Sequence, residues 1–113
     1  MLIIAIILFC IAAIVGVVML VAILQDRPTH KSALFIHGTA AISGLLLVSV
    51  YMFMAGASPL LIMSLTLFVL AALGGLTLAA FDFTNKKIPK LLAVVHPLVA
   101  LAGLIALIVH VLP

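Results

Sequence analysis

The sequence predicts an all-α integral membrane protein, a four-transmembrane-helix up-down bundle built from two tandem helical hairpins. Three observations lead there. The 113 residues are 69% hydrophobic and 6% charged, with a mean hydropathy of +1.67, more apolar surface than a water-soluble fold of this size can hide. The apolar residues gather into four runs, near 1–24, 33–57, 59–81 and 91–112, each close to the roughly 20 residues that a spanning helix needs. The chain also repeats itself at an offset of 59 residues.

The first run opens MLIIAIILFC with no basic residue ahead of it and no polar cleavage region behind it. It is expected to stay as a span rather than to be removed as a signal peptide. The connection QDRPTHKS follows, carrying Asp26, Arg27 and Lys31. After the second run comes AGAS at 55–58, and after the third DFTNKKIPK, with Asp82, Lys86, Lys87 and Lys90. Consecutive spans alternate in direction, so the two charged connections share one side of the bilayer. All five Lys and Arg lie there, which the positive-inside bias makes cytoplasmic. Both the N-terminus and the C-terminus are then expected outside, in a multi-pass protein of the inner (cytoplasmic) membrane. The net charge of +3 is thus accounted for by orientation in a lipid bilayer, and no nucleic-acid partner is expected. The single cysteine, Cys10, allows no internal disulfide, and no C-x-x-C-H motif for covalent haem occurs.

Aligning residues 1–54 with 60–113 gives thirteen identities over 54 positions, where composition alone gives about five or six. The rare residues carry the weight. Gly16 meets Gly75, Lys31 meets Lys90, His37 meets His96 and Gly44 meets Gly103, with Ala41 against Ala100. Each half contains Lys-x5-His-x3-Ala-x2-Gly-Leu, preceded by a glycine 21 residues before the histidine. The single membrane domain 1–113 is therefore two copies of a helical hairpin, 1–54 and 60–113, in the same orientation and related by a pseudo-two-fold axis along the membrane normal.

That symmetry places His37 and His96 at equal depth, roughly 8 to 10 Å inside their helices at 1.5 Å per residue. An imidazole in hydrocarbon needs a partner. The helical stripes His37, Ala41, Gly44, Tyr51 and His96, Ala100, Gly103, His110 are small and partly polar, suited to a bundle interior. In such a bundle the two histidine helices are diagonal neighbours with axes roughly 12 to 14 Å apart. A direct His-His hydrogen bond does not span that gap, whereas two imidazoles on opposite faces of a haem iron do. The expected metal ligands are accordingly His37 and His96. Gly16, Gly75, Gly44 and Gly103 would make room for the macrocycle, and Arg27, Lys31 and Lys90 (with Lys86 and Lys87) would pair with its propionates. One haem b per chain is expected. A second is not, because His110 has Tyr51 as its repeat counterpart. His30 lies in a basic connection and is read as solvated.

Two histidines on two parallel-running helices with glycines nearby resemble the bis-histidine b-type cytochromes of membranes, and also the haem-carrying anchor subunits of succinate dehydrogenases. The resemblance covers the whole chain in architecture, and His37, His96 and the glycines in motif. It departs from the larger b-type cytochromes at Tyr51, where a second haem site would need a histidine. It implies an electron carrier rather than a stand-alone enzyme, exchanging electrons with quinone or a partner protein. A quinone-linked oxidoreductase and an oligomer remain open.

The contrasting reading is a non-redox structural or transporter-like membrane protein, in which the histidine pair hydrogen-bonds or binds a transition metal. No Asp or Glu lies in the middle of a span, which argues against carboxylate-driven transport. No Ser-His-Asp set, phosphate loop or H-E-x-x-H motif occurs.

Overall fold

The computed structural model describes all residues, 1–113. It has four α-helices, α1 (Leu2–Leu24), α2 (Lys31–Ala55), α3 (Pro59–Phe83) and α4 (Lys90–Val111). At 1.5 Å per residue each is about 33 to 38 Å long, enough to cross a hydrocarbon core of roughly 30 Å. All four are long and apolar enough to cross a membrane. Of 90 backbone hydrogen bonds, 78 lie within the helices, as a chain in lipid requires. This is a multi-pass membrane protein. Its outward faces carry large apolar side chains such as Ile14, Leu46 and Leu73, which suit lipid.

Each helix packs chiefly against its hairpin partner, α1 on α2 and α3 on α4. The hairpins meet through α1 with α4 and, less extensively, α2 with α3, so α2 and α4 lie diagonally. The result is a rod of 42 × 23 × 22 Å.

The two charged connections are built alike. Two residues past α1 stands Asp26 at φ 56°, and two past α3 Asn85 at φ 57°, positions equated by the 59-residue offset. In each, the next residue's N–H reaches back into the helix, Arg27 to Ala22 O (2.8 Å) and Lys86 to Phe81 O (3.0 Å). These are Schellman ends, in which Asp and Asn take the left-handed place usually held by glycine. At the opposite end, Gly56 at φ 92° turns the chain out of α2. Ser58 then caps α3, accepting from Leu61 N–H, and Pro59 occupies the first turn, where a missing N–H costs nothing.

The packing divides the bundle in two. Leu2, Ala5, Val48, Leu61, Leu104 and Leu107 fill the half away from the charged connections, together with the Phe9–Phe68 pair. On the charged side of that pair the buried residues are four alanines, Ala12, Ala40, Ala71 and Ala93, one from each helix. Small side chains there leave the interior to the two histidines.

Candidate functional site: a facing histidine pair

α2 starts at Lys31 and α4 at Lys90, so His37 and His96 each sit six residues inside, at matching depth. Both rings point to the bundle axis from diagonal helices, with centroids 6.0 Å apart and planes at 74°. The rings make no hydrogen bond to each other. His37 Nδ1 lies 2.8 Å from Ala12 O. A carbonyl only accepts, so Nδ1 is the donor, and in the neutral ring that tautomer leaves the lone pair on Nε2. His96 departs from this arrangement: its Nδ1 is buried and lacks a close hydrogen bond like the one His37 makes to Ala12. The next position differs too, Gly38 against Pro97, and Pro97 lies inside α4, where it cannot donate to the Ala93 carbonyl.

Gly16 and Gly75 face these rings directly. A Cβ on Gly16 would stand 3.1 Å from His37 Cε1, and one on Gly75 3.0 Å from His96 Cε1. Each glycine therefore opens a notch that its own hairpin's imidazole occupies. Gly44 and Gly103 lie deeper, against phenyl rings. A Cβ on Gly44 would come within 2.9 Å of Phe9, and one on Gly103 within 3.3 Å of Leu67 and Phe68. The stripes of Ala41, Gly44 and Tyr51 on α2, and of Ala100, Gly103 and His110 on α4, are all buried or half-buried.

The basic residues divide into two groups. Lys31 pairs with Asp82 at 2.7 Å and Lys90 with Asp26 at 3.3 Å, each tying one hairpin to the other. Thr29 Oγ1 also donates to Asp82, at 3.0 Å. Arg27, Lys86 and Lys87 form no ion pair and line a cleft of about 240 Å³ between the two connections. His110 lies at the far end, its Nδ1 3.1 Å from Ser58 Oγ. It is remote from the histidine pair. His30 is exposed.

Three features are not evident from residue type alone. Phe9 and Phe68 stack with centroids 3.9 Å apart at 7°; they are a matched pair at the 59-residue offset, and that alignment could have flagged them. Ser64 Oγ donates to Gly103 O at 2.8 Å across α3 and α4, with no counterpart in the first half, where Ala5 stands. The two aspartates as cross-hairpin partners had no signal beyond their sign of charge.

Two facing imidazoles are the kind of donor pair that could hold a b-type haem. The ring centroids, 6.0 Å apart, are close enough for two imidazoles to hold one metal ion, with bonds of about 2 Å each. No cluster of three or more His, Cys, Asp or Glu exists anywhere in the chain. Zinc prefers four such donors, whereas a porphyrin brings its own four nitrogens and needs only two from the protein. The alanine-lined half of the bundle fits such a group in its donors. Comparison with protein-family models, curated proteins and solved structures finds no match.

Proposed function

We propose that this protein is a membrane electron carrier holding one b-type haem between His37 and His96, with its charged connections on the cytoplasmic side. A haem so ligated supplies one-electron transfer. The chain's own contributions are two axial imidazoles, one from each hairpin, and a surrounding of alanine and glycine that keeps water out. The Ala12 carbonyl holds His37 in the tautomer that leaves Nε2 free for iron, the outer-shell role a carbonyl commonly has beside a metal-bound histidine. The observation that carries the reading is the facing pair at 6.0 Å with no third protein donor beside it. Quinone or a partner protein is the exchange partner.

The test compares four variants made with haem supplied: His37→Ala, His96→Ala, His30→Ala and His110→Ala. Loss of the low-spin spectrum and of bound iron is expected in the first two only. Retention of the wild-type spectrum in either axial variant contradicts the proposal.

One observation favours a second reading, a structural pair. Both rings already sit in glycine notches and His37 is already hydrogen-bonded. On that reading the purified protein carries no iron, and His37→Ala lowers stability without any spectral consequence.

A further inference from the structure

The charged end carries two adjoining hollows that differ in chemistry. The first is the cleft of about 240 Å³, lined by Asp26, Arg27, Thr29, Asp82, Lys86 and Lys87 among others. Its two carboxylates are already neutralised, Asp82 by Lys31 and Asp26 by Lys90. The cleft therefore presents three cations without a counter-charge. Arg27 and Lys86 are repeat equivalents, each following a helix end closed by the backbone bond back to Ala22 or Phe81, so each hairpin contributes one of them. The second hollow, about 150 Å³, is walled by Val18, Met19, Ala22 and Ala33, with His30 at its polar end. It shares Arg27, Pro28 and Thr29 with the first. A cationic cup thus passes into an apolar groove that runs along α1 toward the membrane interior.

We propose that these two hollows together bind one anionic phospholipid, its phosphate in the cleft of Arg27, Lys86 and Lys87 and the start of an acyl chain in the groove of Val18, Met19 and Ala22. Free phosphate would satisfy the cleft equally well and leave the groove unused; the groove decides for the lipid. Basic pockets at the cytoplasmic ends of membrane helices bind anionic headgroups for this reason, and a guanidinium matches a phosphate with two parallel hydrogen bonds. Neither hollow is lined by His37 or His96, so the site does not depend on the metal-centre reading and should persist in His37→Ala.

The experiment is native mass spectrometry of the full chain released from micelles containing equal phosphatidylglycerol and phosphatidylcholine. One phosphatidylglycerol should be retained with a preference of about tenfold. In Arg27→Gln/Lys86→Gln/Lys87→Gln, whose altered side chains are all exposed, the preference should vanish with helicity unchanged. Ala22→Phe, which fills the groove, should weaken phosphatidylglycerol retention while leaving the phosphorus-31 line-broadening of added inorganic phosphate as in the wild type. Equal retention of the two lipids, or an undiminished preference in the triple variant, overturns the site. Phosphate binding with no effect of Ala22→Phe on the lipid overturns its assignment to a lipid.

Discussion

Phe9 and Phe68 lie flat on one another at 3.9 Å, each contributed by one hairpin at the position the 59-residue offset equates. The stack joins the hairpins at mid-bundle and separates the leucine-filled half from the alanine-lined half that holds the histidines. Gly44 and Gly103 seat the two rings.

These two glycines should respond differently to alanine. A methyl on Gly44 would press on three atoms of Phe9 at 2.9 to 3.1 Å, against 3.3 Å for the contacts at Gly103. Gly44→Ala forces the stack to shift and should cost about 1 to 3 kcal/mol, as overpacking does. Gly103→Ala should cost less. Thermal unfolding in one detergent ranks them.

At the histidine level, Gly16→Ala and Gly75→Ala would displace the imidazoles they touch, whereas Gly74→Ala makes only ordinary contact, at 3.7 Å from His96 Nδ1. The first two should lower haem occupancy and disturb the low-spin spectrum. Gly74→Ala should leave both as in the wild type. Titrating haem into the three variants is the measurement.

The cross-hairpin ion pairs should contribute unequally. Asp82 receives both Lys31 Nζ and Thr29 Oγ1 and is 20% exposed, while Asp26 receives only Lys90 and is 68% exposed. Asp82→Asn should cost about 1 kcal/mol, and Asp26→Asn less than about 0.5 kcal/mol, as exposed pairs do. Raising the salt concentration should shrink the difference between Asp82→Asn and wild type in thermal unfolding.

At the far end, Ser58 both caps α3 and meets His110. Ser58→Ala should cost about 1 kcal/mol through the lost cap. His110→Ala leaves the cap in place and should cost less, with the haem spectrum unaltered.

The four helices were legible because lipid demands long apolar runs. Their ends were less so: α2 begins at Lys31 and α4 at Lys90, since a helix continues past the hydrocarbon into polar residues that hydropathy discounts. The histidine pair was legible through the repeat, as two rare residues in register. The role of Phe9 was not. In a membrane bundle, core and lipid-facing positions are equally apolar, so nothing in composition separates buried Phe9 from Phe35, which is 63% exposed. The bond from His37 to the Ala12 carbonyl depends on how α1 sits against α2, and main-chain acceptors leave no trace in side-chain identity.

The visible spectrum of the purified protein, produced with haem supplied and recorded oxidised and then reduced, tests the central claim most directly. A Soret band with low-spin bis-imidazole features and about one iron per chain is the expected result. A colourless protein under those conditions would contradict it.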